Sequence, residues 1–216
     1  AATDRPAALA TRALPGWALS AAPPEPVPPR PLAPSRPDGD EASMLPPFAA
    51  TRERFRRGLL IHRLLQTLPD LAAEARPAAA AAYLAHAAPE LDEAARADLA
   101  RESLALFDLP EAAPLFGPAS RAEVPITGRV GDAVVSGQVD RIAITDDAVH
   151  LVDYKTNRPP PARVEDMPAM YRRQMSLYAA VLRQIFPNRA VRAAILWTDG
   201  PRLMNLPAHM LDNPVP

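Results

Sequence analysis

The sequence predicts an α/β fold, a central mixed sheet packed with helices in the order α, β, β, β, α, β. Three observations predict it. A stretch with apolar residues every three or four positions comes first. Short period-two segments separated by tight turns follow it. One long amphipathic helix then interrupts the strands before the last of them.

The first helix is read from Phe48 onward, where Phe55, Leu59, Leu60, Leu64, Leu65 and Leu68 recur at three- and four-residue steps. Pro69 and Asp70 end it. Two alanine-rich helices are expected near 71–87 and 91–108, separated by Pro89, because alanine is the best helix former. Pro110 and Pro114 close the helical region. Glu123 to Thr127 is a short strand, placed at an edge by Pro125. Gly131-Asp132 forms a hairpin-type turn into a second strand, Ala133 to Ile144, in which Gly137 marks a bulge or a close approach. Asp146-Asp147 turns the chain into a third strand, Val149 to Lys155. After Pro159-Pro160-Pro161 a helix is expected from about Asp166 to Phe186, then a strand from Ala190 to Trp197 and a further one from Leu203 to Leu206.

This gives residues 1–47 as a proline-rich linker, 48–207 as one domain (48–110 helical, 121–207 the α/β core) and 208–216 as a C-terminal tail. Twelve of the 28 prolines fall in the linker. That density excludes helices and favours extended polyproline II. Trp17 is its one large apolar residue, read either as docking on a neighbouring surface or as packing on this domain. The opening on loose sequence without Met suggests a piece of a longer polypeptide.

Composition narrows the function. The 216 residues carry a formal net charge of −1, so no global basic field announces a polyanion partner, although a local groove can still be basic. With no cysteine, disulfides, thiolate zinc sites and cysteine-held iron–sulfur clusters are excluded. A reducing compartment is consistent with this. No segment reads as a membrane span or a secretory signal.

Lys155 is the only lysine among 24 Lys and Arg residues. Arginine is a permanently charged fork and lysine a compact, tunable point charge, so the exception has a chemical flavour. Alternation along the strand puts Asp153 and Lys155 on one side. A hairpin centred on Asp146-Asp147 pairs residue 140 with residue 153 and makes Asp140 and Asp153 neighbours. Two adjacent carboxylates repel unless a cation lies between them. Oxygen ligands without thiolates suit Mg²⁺ or Mn²⁺. Such an ion polarises a phosphate oxygen and acidifies water, with Lys155 orienting that water or helping to deprotonate it, and the reaction class is phosphodiester hydrolysis. Each residue has a bland reading too. Asp153 with Lys155 also fits a surface ion pair, and Asp140 a solvated turn. Gln174 and Tyr178 share a helix face, flanked by Arg172 and Arg173, which suits a phosphate backbone or an ordinary solvated surface. His62 sits at the rim of the first helix's apolar stripe, where a histidine is usually structural. Arg52, Arg54, Arg56, Arg57 and Arg63 around it form the densest basic stretch, a DNA track in the functional reading.

Taken together, Gly137-Gln138-Val139-Asp140, Asp153-Tyr154-Lys155 and Gln174-Met175-Ser176-Leu177-Tyr178 resemble the PD-(D/E)xK nuclease superfamily, with its restriction-endonuclease-like core. More narrowly they resemble its RecB-type module. Gly58 to Gln66, with Leu68-Pro69, is similar to the histidine motif opening that module in AddA-type helicase–nuclease proteins. The resemblance runs from about residue 50 to 207, and its specificity lies in the order of four motifs. It implies His62 as a metal ligand with Asp140, Asp153 and the Tyr154 main-chain carbonyl. It implies Lys155 as the catalytic lysine, and Gln174 and Tyr178 as support. Glu123 matches an acidic strand position whose role the resemblance leaves open, a structural one being favoured. The resemblance also implies a bacterial, cytoplasmic, Mg²⁺-dependent DNase in double-strand break repair. It would be tethered behind a helicase portion of the same polypeptide, fed single-stranded DNA, and paired with a second nuclease-bearing, AddB-like subunit. No phosphate-binding Gly-x-x-x-x-Gly-Lys-[Ser/Thr] loop occurs, so no ATP site is expected here. The alternative is a non-cutting DNA-binding or regulatory module on the same fold.

Overall fold

The computed structural model describes residues 14–21, 31–35, 49–212 and 214, with side chains throughout except at 17, 18 and 49–54. Most of the expected linker, and the Trp17 side chain, therefore lie outside what is described. Helix α1 spans Ala49–Thr67, α2 Arg76–Ala87 and α3 Glu93–Ala105. The expected helix from 71 starts later. Leu71 and Ala72 are extended, one 3₁₀ turn follows at Ala73–Ala75, and α2 begins where Pro77 fits the first turn without needing an N–H donor. Helix α3 starts two residues later than expected because Asp92 caps it, its carboxylate accepting the Ala95 N–H at 2.7 Å. A 3₁₀ stretch, Pro110–Phe116, carries the chain to the sheet.

The strands are β1 Ser120–Val130, β2 Ala133–Ile144, β3 Ala148–Lys155, β4 Ala190–Trp197 and β5 Arg202–Asn205; helix α4, Ala169–Ile185, joins β3 to β4. They form one sheet in the order β1-β2-β3-β4-β5, antiparallel except for the parallel β3–β4 pair. The mixed sheet and the αβββαβ order are thus present, with β5 added at the edge. Strand β1 is more than twice the expected length. The turn at Gly131, where φ is +58°, holds one register from Val130 opposite Ala133 out to Ser120 opposite Ala143. Pro125 is tolerated because β1 is an edge strand with an open side. Helix α4 starts at Ala169, after Pro168, rather than at Asp166, which belongs to a separate 3₁₀ turn, Val164–Asp166.

Two cores sandwich the sheet. Helix α4 packs Met175, Leu177, Tyr178, Val181 and Leu182 on one face, against Val135, Val139, Leu151 and Ile195. Helices α1–α3 pack Ile61, Leu64, Leu65, Leu84 and Leu99 on the other, against Ala143, Val152, Tyr154 and Leu196. Each fully buried large aliphatic contributes about 1.5–3 kcal/mol. The packed unit reaches beyond the expected boundary at 207. Leu211 is buried in the α4 core, and Arg183 donates to its carbonyl at 3.2 Å.

Past Arg141–Val152 the β2–β3 ladder stops, although both strands continue. The freed edge of β2 is taken up by the linker. Leu32 bridges Val135 in parallel, its N–H donating to the Val134 carbonyl at 2.7 Å and its carbonyl accepting the Ser136 N–H at 2.9 Å. One turn of 3₁₀ helix, Gly16–Leu19, also forms in the segment expected to be wholly extended. Prolines 15 and 23 leave room for a single turn between them.

Gly137, in the diverging half of β2, marks a close approach and not a bulge, since the β1–β2 register is unbroken across it. A Cβ there would lie 2.7 Å from Cε1 of the Tyr178 ring. Gly137→Ala is therefore expected to destabilise the protein by about 1–3 kcal/mol through overpacking. Urea unfolding checks this, and an unchanged midpoint would show that the Tyr178 ring does not need the gap.

Candidate active site

The site forms where β2 and β3 part. Thr145 N–H donates to the Ala148 carbonyl at 2.8 Å, so alternate pairs from there, 143 with 150 and 141 with 152, are the hydrogen-bonded ones. The next such pair would join Val139 and Tyr154. Instead the Tyr154 N–H donates to Oδ2 of Asp140 at 2.6 Å. The carboxylate replaces a ladder carbonyl. Asp140 thereby ends the pairing and keeps the Tyr154 N–H satisfied.

Three elements converge on Asp140. Helix α1 brings His62, whose Nδ1 lies 3.5 Å from Asp140 Oδ1 and whose ring stands edge-on to Tyr154 at 5.4 Å. Strand β1 brings Glu123, opposite Asp140 in the register though outside the ladder. Glu123 has φ +54°, a left-handed conformation that side chains other than glycine's rarely adopt. His62, Glu123 and Asp140 each offer a ligand atom, all within 4.8 Å of one another.

Strand β3 supplies the other half. Asp153 is 3% exposed. Its Oδ1 accepts a 2.7 Å hydrogen bond from Gln174 Nε2, and Lys155 Nζ lies 2.6 Å from its Oδ2. The buried Oδ2 thus has the ammonium as its neighbour. Lys155 also donates to Gln174 Oε1 at 3.2 Å and lies 4.5 Å over the Tyr171 ring. Tyr171 is fixed in turn by donating to Asn157 at 2.9 Å. One amide on α4 thus grips both the acid and the ammonium. The α1 backbone comes close here as well, since a Cβ on Gly58 would meet Thr156 Oγ1 at 3.4 Å.

The charges perturb one another. Burial raises the Asp153 pKa to about 6, helped by Asp140 and opposed by Lys155. Burial works against protonated Lys155, but Asp153 and Asp140 outweigh it and raise its pKa. Burial likewise opposes protonation of His62, and the hydrogen bond and charge of Asp140 overcome it, so its pKa rises. Burial, with Asp140 beside it, raises the Glu123 carboxyl. Burial also raises the phenols of Tyr154 and Tyr178.

Asp140, His62, Asp153, Tyr154, Lys155 and Gln174 therefore lie in one neighbourhood, with Tyr178 packed on Gly137 beside them. Arg172 is tied to the loop before α4. Its Nη1 donates to the carbonyls of Glu165 (3.1 Å) and Met167 (2.6 Å) and braces the loop before α4. Arg173 is half-buried on the same turn. Glu123, read from sequence as structural, stands inside the ligand cluster, while Asp153 is engaged with Lys155 and Gln174. The signal for Glu123 was available, because folding the chain about Gly131-Asp132 sets 123 opposite 140. Arg141, beside Asp140 and 3% exposed, was not read as part of the site at all.

The donor set fits a hard divalent cation. Two carboxylates and an imidazole lie within reach of one ion, and no thiolate competes.

The model of the PD-(D/E)XK nuclease superfamily matches residues 41–207. The chain belongs to that superfamily. A nuclease is accordingly what the site belongs to, and the five-stranded mixed sheet with helices on both sides is its fold. Among curated proteins, one component of the ATP-dependent helicase/nuclease of Oenococcus oeni is 38% identical over 74 residues, 34% of this chain and 6% of the relative. This chain thus matches a small fraction of that protein's length. A solved structure assigned as an exonuclease from Eubacterium rectale is 15% identical, with a TM-score of 0.40, over 60% of this chain and 53% of its own. Protein VC1899 from Vibrio cholerae is also 15% identical, with a TM-score of 0.28, over 72% of this chain and 49% of its own. No helix among the described residues is long and apolar enough to cross a membrane.

Glu123 yields a prediction that separates strain from use. A left-handed conformation costs a non-glycine residue about 1–2 kcal/mol, less what glycine loses in backbone freedom. In metal-free protein, Glu123→Gly should therefore be as stable as wild type or more stable by up to about 1 kcal/mol. Its Mn²⁺ affinity should fall. A clear loss of stability in chemical unfolding, with affinity intact, would make Glu123 a structural residue.

Proposed function

We propose that this nuclease is a divalent-metal-dependent DNase, hydrolysing phosphodiester bonds with Mg²⁺ or Mn²⁺. The observation that carries the reading is the His62–Glu123–Asp140 cluster beside Lys155 and the buried Asp153 and Gln174. When bound, the ion supplies Lewis-acid polarisation of a phosphate oxygen and a more acidic water. His62, Glu123 and Asp140 would hold it, with Asp153 Oδ2 and the Tyr154 carbonyl as further donors.

The chain's own groups do the rest. Lys155, kept protonated by Asp153 and Asp140, presents a compact positive charge to the reacting phosphate and offsets the negative charge that develops on its oxygens. Its N–H groups orient the attacking water. Gln174 fixes Asp153 and Lys155 together, and Tyr171 covers the ammonium from one side, so the charge is aimed before substrate arrives. Asp140 holds the strands apart, and the gap admits the scissile phosphate.

The wider setting follows the same reading. The match to a helicase/nuclease component supports a nuclease module attached to a helicase portion of one bacterial, cytoplasmic polypeptide, partnered by a second nuclease-bearing protein. It would cut single-stranded DNA from unwound duplex ends in double-strand break resection. The linker, anchored at Leu32 on the edge of β2, suits such a tether.

Lys155→Ala and Asp153→Ala should each lower Mg²⁺-dependent cleavage of single-stranded DNA by roughly a hundred- to ten-thousandfold while leaving DNA binding within a few-fold. Chelation by EDTA should abolish cutting by wild type, and Mg²⁺ or Mn²⁺ should restore it. Wild-type cleavage by either variant, or full activity in EDTA, would remove the reading.

A further inference from the structure

We propose that Arg141 is the positioning residue of this site. Its buried guanidinium sets where His62, Glu123 and the Tyr154 main chain stand around Asp140, and so sets metal affinity without touching metal or substrate. The proposal rests on the metal-dependent reading above.

Arg141 makes four hydrogen bonds, and they reach four separate stretches of chain. Nε donates to the Tyr154 hydroxyl on β3 at 2.7 Å. Nη1 donates to Ser120 Oγ on β1 at 2.8 Å and to the Leu115 carbonyl in the preceding 3₁₀ stretch at 3.4 Å. Nη2 donates to the Leu65 carbonyl on α1 at 2.6 Å. The guanidinium also lies 5.1 Å from the centre of the Phe116 ring.

Three of those stretches each carry a group of the site. Leu65 is one helical turn beyond His62. Ser120 is three residues before Glu123. Tyr154 separates Asp153 from Lys155, and its ring is the surface on which the His62 ring stands edge-on at 5.4 Å. From Arg141 to His62 there are thus two routes, one through the α1 backbone and one through the Tyr154 ring. Arg141 itself follows Asp140 on β2. The side chain next to the central acid is tied to every element that brings a partner to that acid.

Packing alone does not explain a cation here. All four hydrogen-bond acceptors are neutral, and a buried guanidinium without a carboxylate in that shell is costly. An apolar side chain of similar volume would often serve the core as well or better. What an apolar group lacks, and what the single nitrogen of a lysine lacks, is a rigid planar fork whose nitrogens bond in several directions at once. Groups that orient metal ligands from behind typically change metal affinity by about 10–100-fold when removed.

The test uses the full chain and Mn²⁺ itself as probe, with affinity read by electron paramagnetic resonance and by calorimetry, and folding followed by circular dichroism. Arg141→Lys and Arg141→Met are expected to fold and to bind Mn²⁺ about 10–100-fold more weakly. Tyr154→Phe keeps the ring against His62 but loses the hydroxyl, and should weaken binding by roughly two- to tenfold. Cleavage by Arg141→Lys should approach the wild-type rate at saturating Mn²⁺, because Arg141 touches no reacting atom. A merely structural arginine would lower the melting temperature and leave the Mn²⁺ dissociation constant alone, and that result overturns the proposal. Should both Arg141 variants fail to fold, Tyr154→Phe decides, and wild-type affinity there overturns it equally. If wild type binds no Mn²⁺, the metal-dependent reading itself falls and takes this one with it.

Discussion

The hydrogen bond from the Tyr154 N–H to the Asp140 carboxylate is the contact on which the arrangement turns. Along the β2–β3 ladder from Ile144–Val149 to Arg141–Val152, backbone amides meet backbone carbonyls. Here a side chain intervenes at the last step of the β2–β3 ladder. Had Val139 and Tyr154 paired, the two strands would have run on together and buried the space between them. Because Asp140 takes the amide first, β2 and β3 separate without orphaning a buried N–H. The fork follows from this, and so does the use of its two sides. Strand β3 keeps Asp153 and Lys155 against α4 (Gln174), while β2 leans toward β1 and α1, where Glu123 and His62 wait. The edge of β2 exposed by the split is then covered by Leu32.

Three acids and two ionisable cations in one partly dry space make an unstable set of charges unless each is held. Asp153 is the most deeply buried acid, and its pKa is moved toward neutrality although an ammonium lies 2.6 Å away. Glu123 is held in a backbone conformation its side chain disfavours, next to another carboxylate. Such conflicts are uncommon in a core shaped only by stability, and they collect where charge is meant to meet a ligand. The conflicts point at one place, between Asp140 and its neighbours. Away from there, the buried lining of the α4 core and of the α1–α3 core is largely aliphatic.

Much of this was legible in the sequence, for identifiable reasons. The hairpin centred on Asp146-Asp147 could be drawn because two turn residues fixed its middle, and its register, with residues 141 and 152 opposed, is the one observed. Asp153 with Lys155 stood out because period-two alternation is rigid and lysine is otherwise absent. Glu123 was underread because the hairpin about Gly131-Asp132 was not extended to its partner positions, which set 123 opposite 140. For Arg172 a helix-face argument assigned direction but not reach, and it did not foresee that Nη1 bonds the carbonyls of Glu165 and Met167. Arg141 was invisible for a deeper reason. In a chain whose cations are nearly all arginine, one more carries no signal, and only burial reveals that its charge faces no solvent.

Half-buried Lys155 and buried Arg141 divide their work by shape. Lys155 ends in a compact charge on a flexible stem, and three neighbours hold it, Asp153, Gln174 and Tyr171. A guanidinium there would be too broad to share one carboxylate oxygen and one amide and still face a phosphate. Arg141 is in the opposite position. It must reach β1, β3, α1 and the chain before β1 at once, which asks for several fixed donors and no mobility. Exchange of the two residue types would therefore cost something different at each site. At 155 the charge would be misaimed, and at 141 the surrounding elements would lose their common anchor. A sequence that writes arginine almost everywhere, and departs from it where a point charge is needed, records that distinction.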